Sequence, residues 1–386
     1  MVGFQDVDIR LYDGSQKLTR GVAFLHTPAK LNLHLEVLGR REDGFHEIET
    51  LMAAVGIYDT IYFQPLPTQE LSFSCSWVKG YEPFFRKRAF QKQEGPSVES
   101  ASGHLSLDLA SLGEWAPSVE GSLTENDFDN IGNNFSGNAL FGTLPPDNEN
   151  LVFRVLQEFQ REAQNMQGSE YRLDRHSPNQ GARVVLHKRI PAAAGLGGAS
   201  SDVAAALLLA NRCWGLCWSR KKLSRFAGKF GSDIPFFLGS SWALCSGRGE
   251  KVEPLSRGFA LPVVVVKPPV GLSTAEVYGR CTVSKNPVLG RSLVARLSAD
   301  TGKPRGRLLR NQLQAAASQL TPWVQRLTKY FDHLGCVGHQ MSGSGTSYFG
   351  ICRSSRHARQ VAARLRARNV GIVFCTTTLS SKKCVA

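Results

Sequence analysis

The sequence predicts an α+β protein with two domains, and three observations lead to this prediction. The chain has 386 residues, which exceeds the usual size of one domain, and its 42% of hydrophobic residues suffices for packed cores. Residues 24–40 alternate apolar and polar side chains with the period of a half-buried strand. The second half closes with the order strand, helix, strand, which favours helices on one face of a small, mostly antiparallel sheet.

The first predicted domain covers residues 24–255 and follows an N-terminal extension at 1–23. Its first strand, 24–40, leads through turn residues to a second strand over 46–66, with a break near Gly56. Residues from about 76 to 145 are rich in Gly, Ser, Pro and Asn without clear periodicity, so we interpret them as a surface insertion. The remaining predicted elements are a helix at 148–164, a strand at 182–192, and helices at 200–213 and 219–231.

The second predicted domain covers residues 256–386. It opens with the apolar strand 261–268 and becomes helical over 306–335. It closes with a strand at 341–353, a basic helix at 354–369 and a strand at 371–380.

The chain is strongly basic, with a formal net charge of +14. Clustered Lys and Arg would suit a nucleic acid, but here the basic residues are dispersed along the chain. In the 354–369 segment, Val361, Ala362 and Leu365 share one side of a helix, which favours a solvated basic face on the other side. We therefore expect a small polyanionic substrate and no nucleic acid as partner. A basic nucleic-acid-binding protein on the same fold remains the alternative.

Cysteine usage and hydropathy predict a soluble, cytoplasmic protein. The nine cysteines are odd in number, scattered and without a C-x-x-C pair, which is typical of free thiols in a reducing compartment. The N-terminus lacks the apolar core of a secretory signal. The apolar run 261–266 is far shorter than the roughly 20 residues of a membrane span. We expect no membrane partner, and a monomer or a homodimer.

A glycine-rich stretch, IPAAAGLGGASSD at 190–202, precedes an alanine-rich helix. Such a loop can direct backbone N–H groups at an anion near the helix start, or it can be a tight turn between a strand and a helix. Neither G-x-x-x-x-G-K-[ST] nor G-x-G-x-x-G fits this stretch, so a phosphate here would require a different fold. The stretch alone leaves both interpretations open.

Three further stretches carry isolated polar residues. Lys30 and Asn32 lie two residues apart, hence on the same side of a strand, where they could contact a substrate or face water on an edge strand. Asp233 precedes an Ile-Pro-Phe-Phe run and could be a helix cap or a general base. Residues 342–347, SGSGTS, could approach a ligand or turn a corner.

These four stretches, in this order, resemble the GHMP kinase superfamily. The matching motifs are PAKLNL (28–33), PAAAGLGGASS (191–201) and SGSGTS (342–347), and the resemblance covers most of residues 24–64 and 147–378. It implies a two-domain fold with a ribosomal-protein-S5-like N-terminal domain, a ferredoxin-like C-terminal domain and an active site in the cleft between them.

Residues 28–52 and 231–255 are similar to one branch of that superfamily, whose members phosphorylate the 2-hydroxyl of 4-diphosphocytidyl-2-C-methyl-D-erythritol in the non-mevalonate isoprenoid pathway. This similarity implies a small-molecule kinase that uses ATP and Mg²⁺, with Asp233 as the base and Lys30 as its partner. A superfamily kinase for a mevalonate-type substrate is the alternative, and the GFHEI stretch (44–48) favours the first.

The resemblance also implies the binding residues. Those that would wrap the ATP phosphates are Pro191, Ala192, Ala193, Ala194, Gly195, Leu196, Gly197, Gly198, Ala199, Ser200 and Ser201. Those that would contact the acceptor are Asn32, Phe45, His46, Thr274 and Tyr278, with His46 bonded to the cytosine and Phe45 and Tyr278 stacked on it. Mg²⁺ keeps several waters, so no acidic cluster is required and no metal-ligating protein residue is assigned. The chain departs from the family at Gln312 and Gln314, where acidic residues are usual.

Overall fold

The structure is a computed structural model that describes residues 22–78, 141–166, 180–284, 286–299 and 309–380. Most of the predicted extension (1–23) and insertion (76–145) lies outside these residues. The strands, in chain order, are β1 (Ala23–Arg40), β2 (His46–Pro65), β3 (Leu71–Trp77), β4 (Ala182–Lys188), β5 (Trp242–Gly247), β6 (Lys251–Pro254), β7 (Pro262–Lys267), β8 (Arg310–Asn311), β9 (Gly338–Met341), β10 (Tyr348–Ile351) and β11 (Ile372–Thr377).

Helices follow the strands in both halves of the described chain. They are α1 (Leu151–Met166), α2 (Gly198–Cys213), α3 (Arg220–Ala227), α4 (Ile234–Gly239), α5 (Thr274–Gly279), α6 (Gly290–Ala299), α7 (Leu313–Leu320), α8 (Pro322–Asp332) and α9 (Ser355–Ala367).

The strands form two sheets. The larger has the order β3-β4-β2-β1-β8, and β5 extends it by pairing with the first part of β2 and with β6. The smaller has the order β11-β7-β10-β9, and all of its pairs are antiparallel. The predicted α+β class and the predicted antiparallel sheet of the second half are therefore confirmed.

The antiparallel pair β1–β2 is the centre of the larger sheet. The break predicted near Gly56 is a bulge, because the pairing passes from Ala29–Val55 directly to Pro28–Tyr58 while β2 continues. β1 lies between β2 and β8, so it is not an edge strand.

Two layers of side chains pack on β1. Leu31 and Leu33 point between the two sheets, into a cluster with Val263 and Val265 of β7. The other face of the larger sheet packs on α1 to α4 through a cluster that includes Phe63 and other buried side chains. Because side chains alternate along a strand, Lys30 and Asn32 point away from the layer that holds Leu31.

Residues that disfavour or cap helices set two of the helix boundaries. The region predicted as helical over 306–335 is split, because Thr321 caps Trp323 N at 3.3 Å and Pro322 begins α8. The helix predicted at 219–231 ends at Ala227, one residue before Gly228. The periodicity did not predict β3, β5, β6, β8, α4, α5 or α6, which are short or lie in segments of mixed composition. The strand predicted at 341–353 is wrong in part, because the loop 342–347 separates β9 from β10.

Candidate active site

Lys30 of β1 and Asp233, the residue before α4, form an ion pair. Lys30 Nζ lies 3.3 Å from Asp233 Oδ2, and its side chain is 5% exposed, whereas that of Asp233 is 30% exposed. The backbone N–H of Lys30 donates to the carbonyl oxygen of Leu196 at 2.8 Å. The cation is therefore enclosed while the carboxylate opens to the cleft, and an edge strand that exposes polar residues to water is excluded.

Asn32 fixes the direction of the Lys30 ammonium. Lys30 Nζ donates to Asn32 Oδ1 at 2.7 Å, and Asn32 Nδ2 donates to Thr50 Oγ1 at 2.9 Å. The Thr50 hydroxyl itself donates to the carbonyl oxygen of His34 at 2.6 Å, so it can only accept from the Asn32 amide. This chain of bonds orients the amide oxygen toward Lys30.

Asp233 occupies the position before α4 without capping it. Within the described residues its side chain makes no cap hydrogen bond, and Pro235 in the first turn of α4 lacks an N–H. The buried side chains of Ile234, Phe236 and Phe237 anchor α4 in the core. The carboxylate is thus held at the surface of a rigid element, available for a ligand.

The glycine-rich loop contacts both the Lys30 strand and the C-terminal half. Gly197 has φ +70°, and a Cβ there would lie 2.9 Å from Lys30 Cγ. Gly195 has φ +72°, and a Cβ there would lie 2.3 Å from the carbonyl oxygen of Ser342. These two positions require glycine for both backbone conformation and close approach.

The loop ends at the start of α2 with free donors. Gly197, in the left-handed conformation, offers no side chain to cap the helix, so the first N–H groups of Gly198, Ala199 and Ser200 find no side-chain cap among the described residues. The Ser201 hydroxyl is buried and has no hydrogen-bond partner in the described part of the chain. Such a helix start suits an anion.

The earlier part of the loop rests on two segments of chain. The N–H of Ala192 donates to the carbonyl oxygen of Phe141 at 2.8 Å, and Pro191 follows the buried Ile190. Ala193 has φ +47°, and its Cβ approaches Gly271, in the segment after β7.

The loop 342–347 clamps the glycine-rich loop from the C-terminal side. Ser342 Oγ donates to the carbonyl oxygen of Gly195 at 3.1 Å and accepts from the N–H of Asn32 at 3.2 Å. The N–H of Ser347 donates to the carbonyl oxygen of Ala194 at 3.1 Å. Both sides of the cleft are therefore tied together at this loop.

Asn311 and Gln314 hold the same loop from below. Asn311 Nδ2 donates to the carbonyl oxygens of Met341 and Gly343, each at 2.8 Å. Gln314 Oε1 accepts from the N–H of Met341 at 2.9 Å, and Gln312 Oε1 accepts from the N–H of Val37 at 2.7 Å. At the positions where acidic residues are usual, the two glutamines act as acceptors for backbone N–H groups, which an amide does as well as a carboxylate.

Lys267 lies buried at the end of β7. Its Nζ donates to the carbonyl oxygens of Pro268 at 2.8 Å and Val270 at 2.9 Å, and the Thr346 hydroxyl also donates to Val270 O. Burial lowers the pKa of Lys267 to about 8. The lysine therefore supports the segment that contacts both loops.

A buried group of charges, not foreseen from the sequence, lies beneath the glycine-rich loop. Lys188 Nζ is 2.5 Å from Asp59 Oδ2 and 2.6 Å from Asp202 Oδ2. Burial alone would lower the pKa of Lys188, but the two carboxylates outweigh it and raise that pKa, so the ammonium stays charged. The signal in the sequence was a charge within each of three apolar segments, but nothing local indicated that they meet.

The buried charges also fix the backbone. Asp59 Oδ1 accepts from the N–H groups of Arg189 and Ile190, the latter at 2.8 Å, just before the loop begins. Asp202 Oδ1 accepts from the Thr27 hydroxyl at 2.6 Å. The start of α2 is thereby joined to β1, β2 and β4.

Two of the predicted acceptor residues contact each other. His46 and Tyr278 are in ring contact, with centroids 5.1 Å apart and planes at 34°. Burial raises the pKa of Tyr278, and the Asp233 carboxylate adds to the effect. Burial and the nearby Arg40 lower the pKa of His46, so its imidazole is neutral at pH 7.

Phe45 lies at the rim and not against Tyr278. Its ring is 52% exposed, and the Arg248 guanidinium lies over it at 4.7 Å. Thr274, at the start of α5, is exposed, and its hydroxyl lies 3.0 Å from that of Ser344. The structure thus brings His46 and Tyr278 together, whereas Phe45 contacts Arg248 and Thr274 lies beside the loop 342–347.

No group of three or more His, Cys, Asp and Glu side chains among the described residues is arranged to hold a metal ion. None of their helices combines the length and apolar character that a membrane crossing requires.

Two sequence families match the chain. The family described as "GHMP kinases N terminal domain" matches residues 150–240, and "GHMP kinases C terminal" matches residues 296–371. A protein of Pelotomaculum thermopropionicum named 4-diphosphocytidyl-2-C-methyl-D-erythritol kinase is 32% identical, over 90% of this chain and 96% of that protein. A protein of the same name from Rhodopirellula baltica is 30% identical, over 88% of this chain and 90% of that protein.

Solved structures show the same fold. A crystal structure of 4-(cytidine 5'-diphospho)-2C-methyl-D-erythritol kinase has a TM-score of 0.60 and 26% identity, covering 92% of this chain and 98% of that one. Homoserine kinase from Cytophaga hutchinsonii has a TM-score of 0.57 and 18% identity, covering 97% of this chain and 99% of that one. At this identity the similarity shows a shared fold only. The chain is therefore a small-molecule kinase of the GHMP kinases and belongs, within them, to the 4-diphosphocytidyl-2-C-methyl-D-erythritol kinase family.

Proposed function

We propose that the chain transfers the γ-phosphoryl group of ATP to the 2-hydroxyl of 4-diphosphocytidyl-2-C-methyl-D-erythritol. The names of the relatives support the substrate, and one observation carries the chemistry: the open carboxylate of Asp233 lies against the enclosed ammonium of Lys30. We further propose that the two domains cover 24–255 and 256–386, and that the protein works in the cytoplasm as a monomer or homodimer.

Asp233 is the proposed general base. With the acceptor hydroxyl within hydrogen-bond distance of its carboxylate, Asp233 accepts the proton as the oxygen attacks the γ-phosphorus. Most of the rate gain in phosphoryl transfer comes from positioning and from neutralising charge. The rigid attachment of α4 by its buried side chains supports that positioning.

Lys30 is the proposed partner of the base. Its ammonium, fixed by Asn32 at 2.7 Å, stabilises the negative charge that develops on the attacking oxygen. The backbone N–H of Lys30 also donates to the carbonyl oxygen of Leu196 in the glycine-rich loop. Lys30 therefore sets the distance between the proposed base and that loop.

Residues 191–201 are the proposed phosphate-binding loop. The N–H groups at the start of α2 and the Ser201 hydroxyl, which have no side-chain cap and no hydrogen-bond partner among the described residues, offer donors to phosphate oxygens. The same residues fit Mg²⁺ that arrives with the nucleotide, since Ser200 and Ser201 could provide hydroxyl ligands beside phosphate oxygens and water. The ion would neutralise charge on the phosphates.

The opening beside Asp233 is the proposed acceptor site. His46, Tyr278 and Phe45 provide aromatic surface for the cytosine, and Asn32 and Thr274 contact the polyol part. The Arg248 guanidinium over Phe45 adds positive charge that suits the acceptor's diphosphate.

A kinase assay with purified full-length protein tests the proposal. ADP formation is measured with ATP and Mg²⁺ and either the cytidylated acceptor or mevalonate. We expect turnover with the cytidylated acceptor alone, and the product should carry phosphate on the 2-hydroxyl by phosphorus NMR. Preference for mevalonate would overturn the substrate assignment. Salt-sensitive duplex binding without ATP turnover would favour the nucleic-acid alternative.

A further inference from the structure

Two cysteines flank the hairpin that carries the loop 342–347. Cys336 precedes β9 and Cys352 follows β10, and the N–H of Val337 donates to the carbonyl oxygen of Ile351 at 2.8 Å between them. The two residues are thus brought together at the open end of the hairpin, while the loop 342–347 lies at its closed end.

Both sulfur atoms lie against Gly350. A Cβ at Gly350 would be 2.9 Å from Cys336 Sγ, so the absent side chain is what admits this sulfur. Cys352 Sγ lies 3.9 Å from the carbonyl oxygen of the same glycine. Gly350 and Cys352 are two residues apart along an extended strand, so they face the same side as the Cys336 sulfur.

The two thiols differ in exposure and acidity. Cys352 is 3% exposed, whereas Cys336 is half-buried and reachable from solvent. A hydrogen bond from Cys352 lowers the pKa of Cys336, with Arg353 adding to the effect, and the same bond and burial raise the pKa of Cys352. Cys336 therefore has the character of an attacking thiolate, and Cys352 is placed beside it to attack a disulfide formed on Cys336.

We propose that Cys336 and Cys352 are a reversible oxidation site, which a small disulfide such as oxidised glutathione converts to an intramolecular disulfide. The Cys336 thiolate attacks one sulfur of glutathione disulfide, a mixed disulfide forms, and one glutathione leaves as thiolate. Cys352 loses its proton and attacks the Cys336 sulfur, and the second glutathione leaves. The protein loses two electrons and two protons, and one glutathione disulfide becomes two glutathiones.

A disulfide between Cys336 and Cys352 would affect the loop 342–347. The crosslink would close a loop through β9, residues 342–347 and β10. That loop contains Ser342, which bonds both Asn32 and Gly195. Oxidation would therefore restrain the hairpin that supports both sides of the cleft.

The experiment maps thiols in the folded full-length protein. The chain is equilibrated with mixtures of reduced and oxidised glutathione, quenched with acid, alkylated and analysed by peptide mass spectrometry. We expect a crosslink between 336 and 352 in the oxidising mixtures and its complete reversal by dithiothreitol. We expect Cys352→Ser to stop at a glutathione adduct on residue 336, and Cys336→Ser to form neither product.

Matched variants separate the pair from its neighbours. Cys375→Ser and Cys213→Ser should form the 336–352 crosslink as the unaltered chain does. Separate alkylation of Cys336 and Cys352 in every mixture, with the folded circular dichroism spectrum retained, would overturn the proposal. A crosslink of Cys336 to Cys375 or to Cys384 in place of Cys352 would overturn it as well.

Discussion

A Cβ on Gly195 would lie 2.3 Å from the carbonyl oxygen of Ser342. At this point the glycine-rich loop and the loop 342–347 approach each other through backbone atoms. A change of side-chain rotamer therefore could not relieve the clash. The contact brings together parts of the chain that are far apart in sequence, and both loops also approach the Lys30 side chain, at Gly197 and Gly343.

Gly195→Ala should weaken both the fold and nucleotide binding. The left-handed backbone costs about 1 kcal/mol for alanine, and the clash with Ser342 adds about 1–3 kcal/mol of overpacking. We expect a lower melting temperature and weaker ATP binding by calorimetry. Gly215→Ala is the matched control, since Gly215 has φ +65° with no described atom within 4 Å of a Cβ. Equal losses of ATP affinity in the two variants would contradict the role of the contact.

Asp233→Asn should remove most of the turnover and leave ATP binding nearly intact. The amide keeps the shape of the side chain but cannot accept the acceptor's proton, so kcat should fall about 100- to 10,000-fold. Steady-state kinetics and ATP calorimetry provide the two readouts. Asp332→Asn, an exposed carboxylate remote from the cleft, is the control. Turnover like that of the unaltered chain in Asp233→Asn would remove this residue from the role of base.

Lys30→Met should also lower kcat, because it removes the ammonium that we propose to stabilise the attacking oxygen, while the buried volume is nearly kept. The Asn32 oxygen then loses its donor, so a loss of stability of about 1–3 kcal/mol should accompany the kinetic defect. Urea unfolding and kinetics measure the two effects. Lys229→Met, an exposed lysine, serves as control. A variant with lower stability but unchanged kcat would assign Lys30 a structural role only.

Asn311→Asp should impair catalysis through the loop 342–347. The carboxylate would face the carbonyl oxygens of Met341 and Gly343, which now accept from the amide, so repulsion replaces two hydrogen bonds. We expect the KM for both substrates to rise along with a loss of stability. Asn211→Asp likewise loses a bond to a carbonyl oxygen, that of Trp218, but far from the cleft. It should reduce stability without changing KM, and an equal rise in KM would argue against a specific effect at Asn311.

Lys267 should make stability depend on pH in the alkaline range. Its folded pKa of about 8 lies below the ordinary 10.5, so between these values the unfolded chain binds more protons than the folded one. Stability therefore rises with pH across this window, and below it the cost of burying the ammonium is fully present. Urea unfolding from about pH 7 to about pH 10 should show the unaltered chain gaining stability relative to Lys267→Met. A constant difference would mean that the lysine is not buried as a cation.

The sequence predicted the parts of the site that follow from local periodicity. Alternation along β1 put Lys30 and Asn32 on one side, and the glycine spacing with the resemblance indicated an anion site before α2. Those inferences need only the geometry of one strand or one helix. The resemblance, not the periodicity, suggested that Asp233 accompanies them.

The parts that the sequence could not predict depend on contacts between distant segments. Asp59, Lys188 and Asp202 each look like isolated charges until the sheet brings β2, β4 and α2 together. The roles of Gln312 and Gln314 as acceptors for backbone N–H groups were likewise invisible, because their partners, Val37 and Met341, belong to other strands. Local patterns carry no information on such pairings.

The alternation along β1 also limits how this enzyme can change during evolution. Leu31 contributes to the layer between the sheets, while its neighbours Lys30 and Asn32 point to the opposite side and bond to each other. A single inserted or deleted residue in this strand would turn the leucine toward the cleft and the lysine into the apolar layer. Alternate positions of the same strand thus supply the core side chain and the polar pair. We therefore expect insertions and deletions to be tolerated in the loops around β1 but not within it.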